Sequence, residues 1–562
     1  MTNRSDDRKD RALRDAAQKS LDRHHRSVRA DEVEMALQAA RVHIVGGKRT
    51  HRPTGPIVAA AAAVILLVGA LVAVSNRPND RAVTDMPTAP SVDQTTLPSR
   101  TTTPSTTSRA TSVDSAPATL HDVHGAPILG ASSGSGSDEA GSFHDVVVEH
   151  LLHHSEILGD SVDERRRQLD VGGLQIYTTL DPATQRAAED SRSELPANSR
   201  NIEAALVSLD TNSGAVRALV GPANDDGVNM AMKPRQSGSA IGLFIVAAAV
   251  EAGAQSDDVI DARRDCTLPT SNPAVPALVI ESGAAGMVGT LREVASISLS
   301  CGMARLSMIV GLDHVVDTTY QMASSDYLQP GVSNADRPPL EPFASLATGA
   351  NELSALDMAS GVQTLANEGV HRPPYFVEFV DDADGNRLYT HTPSEQRVLG
   401  RAGTLETIDL LKSVLREGTA RRHAPLASER PAFGVTGSQL DATNAWFVGA
   451  TPQLSSAVWV GDPNAYTPMI DISEFAADGV PTVQGGRYPT QIWKAFTDAA
   501  LEGTPATDWE PPPAPAREPV RLVLSGNECL STGGSASEPP QQIPLGQPLT
   551  TVDVDSDVVP CR

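Results

Sequence analysis

Read from the amino terminus, the hydrophobic and polar positions divide the chain into unlike stretches. Over residues 11–41 the charges fall on several helical faces, which predicts a solvated, partly ordered tail or docking element for residues 1–52. Residues 53–76 then carry no charge, and their apolar centre runs PIVAAAAAVILLVGALVAV from Pro56 to Val74. About 20 apolar residues rising 1.5 Å each match a bilayer core, so this stretch reads as a transmembrane helix. Residues 77–141 lose the pattern: TTTPSTTSRATSVDS holds ten Ser/Thr in fifteen positions, and GASSGSGSDEAGS follows. Such a stretch has too little apolar surface for a core, and a disordered Ser/Thr/Pro-rich linker is expected.

Periodicity resumes near Phe143. HDVVVEHLLHHSEIL repeats as a helix, LQIYTTLD alternates as a strand, and Asp181-Pro182 opens another helix, together a pedestal over 142–200. AALVSLDTNSGAVRALVG predicts a hairpin about Asn212-Ser213-Gly214. SAIGLFIVAAAVEAG predicts an apolar helix stopped at Gly253, and LREVASISLSCGMARLSMIVG a single helix over 291–311. TLETIDLLKSVLREG follows as a helix, then AFGVTG, NAWFVGAT and SSAVWVGD as strands. An apolar helix enclosed by other helices and an antiparallel sheet is an α+β pattern, assigned to a domain over 201–502. The Pro-rich, acidic residues 503–562 form a C-terminal tail with one strand-like piece, VRLVLSG.

Charge sharpens this division. Residues 1–52 carry 13 Lys/Arg and 8 Asp/Glu, the rest 32 and 61, within a net −24. A general basic surface for nucleic acid is excluded. Lys48, Arg49 and Arg52 flank the apolar run, so the positive-inside rule places the N-terminus in the cytoplasm and the main domain outside, on one membrane pass. A cleaved secretory signal fits less well, because more than fifty residues precede the run. Cys266, Cys301, Cys529 and Cys561 all fall on the outer side, where proximity favours Cys266–Cys301 and Cys529–Cys561 disulfides.

Five phrases occur in order: LQIYTTLDPATQRAAE, AALVSLDTNSGAVRALVGP, RQSGSAIGLFIVAAAVEAG, ATGANELSALDMASGVQTLANEGV and NAWFVGATPQLSSAVWVGD. Together, over roughly 170–500, they closely resemble the transpeptidase domain of class A penicillin-binding proteins. The resemblance implies the penicillin-binding transpeptidase and serine β-lactamase-like fold. No stretch resembles the glycosyltransferase half of that class, so a chain without that domain is expected. The family's chemistry needs a Ser-x-x-Lys, in which lysine takes the serine proton, a Ser-x-Asn, and a Lys-Thr-Gly strand that binds the substrate carboxylate and walls the oxyanion hole.

All three clusters are present in frame, and each has lost its key residue. Ser239 holds the nucleophile position, with Gly242 where the lysine belongs; Ser298-Leu299-Ser300 replaces the asparagine by serine; Val435-Thr436-Gly437 begins with valine in place of lysine. An unassisted serine hydroxyl is a poor nucleophile at neutral pH. Beyond the membrane span only Lys233, Lys412 and Lys494 could substitute, and none adjoins Ser239 in sequence. The expectation is a catalytically inactive homologue, a scaffold or a peptidoglycan or β-lactam sensor. The alternative is an active D,D-transpeptidase or carboxypeptidase using Ser239 with a substituted base. Neither reading requires a cofactor or metal.

The same residues have structural readings. Ser239 would serve as the N-cap of its helix, Ser298 and Ser300 as small residues at a helix crossing, and Thr436 and Gly437 as strand packing. His150, His153 and His154 contain a zinc-like i, i+4 pair but read better as a solvated helix face. Asp381-Asp382-Ala383-Asp384-Gly385-Asn386 lacks the terminal glutamate of a calcium loop and reads as a hairpin turn. The partners implied are peptidoglycan peptide, division or other cell-wall synthesis proteins, and the membrane. Six lysines against 39 arginines and abundant alanine fit a high-GC, actinobacterial source.

Overall fold

The computed structural model describes residues 116–562 apart from 129–137, 270–276, 282–285, 334–336, 440, 525–527, 531–540, 544–548, 555, 557 and 561–562. The charged tail, the apolar run at 53–76, most of the Ser/Thr-rich stretch and Cys561 lie outside the described residues. Among the described residues no helix is long and apolar enough to cross a membrane.

Order begins earlier than expected. Strand Thr119–His121 falls inside the stretch read as linker and pairs in parallel with strand Gln175–Thr178, Leu120 opposite Ile176. Leu120 and Ile128 are buried, so two apolar residues suffice once a neighbouring strand supplies the ladder. The hairpin Val377–Asp381 and Arg387–Thr390 extends the same sheet. Its turn holds Asp382 Oδ1 against the N–H groups of Asp384 (2.9 Å) and Asn386 (2.8 Å), with Gly385 at φ 82. The acidic run is therefore a turn whose carboxylate serves the backbone.

Helix α1 (Asp138–His153) lays Phe143, Val147 and Leu151 into the core. His150 goes in with them, which corrects the solvated-face reading. It is 6% exposed, its Nδ1 lies 3.0 Å from the Tyr327 hydroxyl, and the His154 ring packs 4.3 Å from the Tyr327 ring. The i, i+3, i+4 spacing that puts Val147 and Leu151 inward carries His150 the same way. Helix α2 (Pro182–Ser191) starts where Asp181 accepts the Thr184 N–H at 2.7 Å.

Burial, reinforced by His154, pushes the His150 imidazole down to about 4. Its folded-state value is depressed, so the contribution is complete above the unfolded value near 6.5 and is lost as pH falls from there to about 4. Up to about 3 kcal/mol of unfolding free energy is expected to disappear across that window. Urea melts between pH 7 and 4 check this: His150→Gln should flatten the slope, and an unchanged slope would assign the acid sensitivity elsewhere.

The central sheet follows from the hairpin and the three late strands. Strands β1 (Glu203–Asp210), β2 (Val216–Val220), β3 (Phe433–Ser438), β4 (Asn444–Ala450) and β5 (Leu454–Gly461) assemble in the order β3-β4-β5-β1-β2, antiparallel throughout. Every residue of β4 and β5 is buried, so both faces of the sheet are covered. Around it stand helices α3 (Gly242–Glu251), α4 (Leu291–Ser296), α5 (Ser300–Val310), α6 (Ala355–Ala366), α7 (Arg401–Arg416) and α8 (Tyr488–Ala500). Helices α6 and α8 pack on the inner strands, while α7 lies along the edge strand β3. Residues 291–311 thus form two helices rather than one: the chain breaks at Ile297–Leu299, with Ser298 at φ 52. Cys301, in the first turn of α5, is disulfide-bonded to Cys266.

The Pro-rich tail is docked. Trp509 is buried and donates from Nε1 to the Ala366 carbonyl at 2.7 Å, and Asp508 pairs with Lys412 at 2.6 Å. Strand Arg521–Leu522 joins strand Val259–Asp261 in parallel and strand Leu549–Val552 antiparallel, so the tail completes a sheet that the preceding domain begins. Cys529 stands opposite Val559 in the strand pair Glu528–Leu530 and Val558–Pro560.

Candidate active site

The three clusters converge. Ser239 sits in a 3-10 turn, Gly238–Ile241, that leads into α3. Gly238 has φ 54, and a Cβ there would lie 2.7 Å from the Ser438 carbonyl, so only glycine allows the turn to approach β3 this closely. Ser239 is not the helix cap that the sequence suggested: the cap position of the turn is Ser237, which makes no capping bond. The Ser239 hydroxyl instead donates to the Thr436 carbonyl and accepts the Ser438 N–H, both at 3.3 Å. Those two groups face outward from the edge strand, so the hydroxyl spans an open stretch of sheet edge. The Ser438 N–H is thus engaged by the Ser239 hydroxyl.

Gly242 is the first residue of α3, and a Cβ added to it would stand 3.3 Å from Met303 Cε. The methionine side chain occupies the direction a lysine at 242 would take. Ser298 enters from the break between α4 and α5, where its N–H is bonded to the Ala295 carbonyl at 3.1 Å. Val435 is 6% exposed; Thr436 Oγ1 shares a 2.7 Å hydrogen bond with Thr419 Oγ1. Gly437 lets β3 meet the 3-10 turn, since a Cβ on it would lie 2.6 Å from Ala240 Cβ.

Together, Ser239, Gly242, Ser298, Val435 and Thr436 line one cavity with Met303, Leu411, Val414 and Thr419, and its free volume is about 10 Å³. That holds about one water molecule. Ser300 begins α5 and does not line it. No Lys, His, Asp or Glu is among the lining residues. Lys412 is held by Asp508 and lies over the Trp509 ring, and Lys494 pairs with Asp498. Lys233 follows a turn at Asn229 and does not reach the lining.

Sequence reasoning missed the residues that close the cleft. Met303 lies only three residues beyond the Ser298-Leu299-Ser300 cluster, and that nearness in sequence was the one usable signal. Leu411, Val414 and Thr419 come from α7 and its exit, far away in sequence, and carried none.

Comparison with known proteins agrees with this geometry. Residues 204–465 match the penicillin binding protein transpeptidase domain family. Penicillin-binding protein 1A of Mycobacterium tuberculosis is 30% identical over 355 residues, covering 61% of this chain and 42% of that protein. Its counterpart in Mycolicibacterium smegmatis is 30% identical over 408 residues, covering 70% and 49%. The chain thus spans about half the length of the curated relatives it matches. The solved structure of the penicillin-binding protein PonA1 from Mycobacterium tuberculosis superposes with a TM-score of 0.55 at 29% identity, over 67% of this chain and 97% of that one. The same protein has been solved in complex with penicillin V.

Proposed function

The chain belongs to the penicillin-binding protein family through its transpeptidase domain, and from that premise we propose that this domain serves peptidoglycan synthesis or its regulation without acylating a substrate. One observation carries the reading: the cavity volume beside Ser239 is about 10 Å³, and Met303 Cε stands where it would lie 3.3 Å from a Cβ at 242. A transpeptidase must admit a peptide chain and deprotonate its serine; here neither the room nor a base is at hand. General-base assistance is worth about 10²–10⁴ in rate, and the missing ammonium at 435 removes the anchor for a substrate carboxylate as well.

In this reading the domain is a scaffold or sensor at the cell envelope. It stands outside the membrane on a single pass at 53–76, with residues 1–52 in the cytoplasm and a Ser/Thr-rich spacer between. The uncharged run, its basic flank and the Cys266–Cys301 disulfide support that placement.

Fluorescent-penicillin labelling of the full chain in detergent, read by intact mass, tests the central claim. No covalent adduct is expected. An adduct that vanishes in Ser239→Ala would establish an active acyl-enzyme and overturn the reading. The same variant has a structural consequence, because its hydroxyl bridges the edge of β3. Losing those bonds should lower stability by about 1 kcal/mol, measurable by urea denaturation.

A further inference from the structure

A roomier cavity lies elsewhere on the domain. The 3-10 turn Arg192–Glu194 after α2 and the loop that runs from it into β1 border about 210 Å³, some twenty times the volume beside Ser239. One side chain ties this loop from within. Asn198 Oδ1 accepts the N–H groups of Arg200 (3.1 Å) and Ile202 (2.9 Å), and its Nδ2 donates to the Ile202 carbonyl at 2.8 Å. The Ser199 N–H is held by Glu474 Oε1 at 3.0 Å. The chain itself therefore fixes the wall, which lowers the ordering cost of any binding there. Sheet register separates this cavity from the cleft. Ser438, Ala445, Val460 and Ala204 stand opposite one another across β3, β4, β5 and β1. Ala204, a lining residue, is thus three strands, about 14 Å, from the strand edge that Ser239 bridges.

The lining carries both signs of charge. Arg192 Nη2 donates to Glu203 Oε2 at 3.2 Å, with side-chain exposures of 19% and 40%. A lone, partly exposed pair of this kind adds little to stability. The other Glu203 oxygen and the Asn201 amide make no hydrogen bond among the described residues. Leu195, Ile202 and Ala204 supply apolar surface beside them. A simple anion entering here would meet Glu203, and a simple cation would meet Arg192. A small zwitterion answers both, its carboxylate matching the arginine fork and its ammonium the glutamate. Size narrows the class further. Pockets for drug-sized ligands measure about 300–1,000 Å³, so this one suits a free amino acid rather than a peptide or a nucleotide.

We propose that Arg192, Asn201 and Glu203 form a binding site for a free α-amino acid with a short apolar side chain, such as alanine. Arg192 takes the carboxylate, Glu203 the ammonium, and the Asn201 amide adds a hydrogen bond, while Leu195 and Ile202 face the side chain. None of these residues belongs to the three in-frame clusters, and the site stands whether or not Ser239 acylates.

The test is calorimetric titration of the full chain in detergent with D- and L-alanine, N-acetylalanine and alaninamide at millimolar concentrations. At least one enantiomer of alanine is expected to bind, and its N-acetyl and amide derivatives about tenfold more weakly. Arg192→Gln should weaken alanine about tenfold. Glu203→Gln should do the same while leaving N-acetylalanine unchanged, because that compound has no ammonium to lose. Asn201 has φ 54, which glycine also adopts, so Asn201→Gly removes the amide without disturbing the loop and should weaken alanine several-fold. No binding of either enantiomer would overturn the site. So would N-acetylalanine or alaninamide binding as tightly as alanine, or wild-type affinity in Glu203→Gln. The comparison of the four compounds is made on the wild type, so it decides the matter even where a variant fails to fold.

Discussion

Replacing Gly242 by lysine, which restores the Ser-x-x-Lys spacing, is expected to cost stability and return no acylation. The added side chain would begin 3.3 Å from Met303 Cε in a cavity of about 10 Å³. Overpacking of this kind costs about 1–3 kcal/mol. The ammonium would also find no carboxylate among the lining residues, and a buried polar head without a partner adds a few kcal/mol, unless it sheds its proton. A total loss of about 3–5 kcal/mol is therefore expected in urea denaturation. Adding Met303→Ala should recover the overpacking component and leave the charge component. Two outcomes would contradict this account: wild-type stability in Gly242→Lys, or a penicillin adduct from that single variant. Either would show that α5 yields readily and that the cleft is closed only in this state.

The second large effect lies in the tail. Arg517→Ala is expected to destabilise the protein by about 3–5 kcal/mol, the cost of leaving a buried carboxylate without its counter-ion. Asp258 is fully buried, and Arg517 reaches both of its oxygens at 2.6 Å. The remaining acceptor capacity of the carboxylate is taken by the N–H groups of Gln255 (2.8 Å) and Val520 (3.0 Å). The pair thus joins the loop after α3 to the strand at Arg521–Leu522. Limited proteolysis of Arg517→Ala should cut within residues 511–524 faster than in the wild type, and Asp258→Asn added to it should return part of the lost stability. If both variants match the wild type, the Asp258–Arg517 pair adds nothing measurable to the other contacts that hold the tail.

Several features were open to reading because they are local. Asp181-Pro182 starts a helix because a carboxylate can cap the N–H three residues on, whatever surrounds it. Asn212-Ser213-Gly214 and Asp384-Gly385 turn because glycine takes positive φ there, at 80 and 82. The apolar runs at 204–220 and 433–461 read as strands from their shortness and bounding turns, and they are near-continuously apolar because both faces of the sheet are covered. That glycine, serine and valine stand at 242, 300 and 435, where the resemblance implies lysine, asparagine and lysine, was likewise open to reading position by position.

Other features depended on contacts between distant segments. The break at Ile297–Leu299 interrupts a stretch whose apolar period runs on unbroken; it is fixed by backbone bonds such as Thr419 N–H to the Ser296 carbonyl at 3.0 Å. His150 looked solvated because the residues that bury it, Tyr327 and Phe376, come from far along the chain. The Ser239 hydroxyl could be assigned as a cap only while the strand edge beside it was unknown.

The sequence by itself therefore determined the α+β architecture, the family resemblance and the identities of the residues at 239, 242, 298, 300 and 435, because periodicity, turn chemistry and residue identity are written position by position. Only the tertiary structure decided that the cleft is filled by Met303, that the Ser239 hydroxyl is spent on the edge of β3, and that the acidic tail completes a sheet. Those outcomes depend on which side chains from separate elements compete for the same few ångströms, and packing between elements settles that competition.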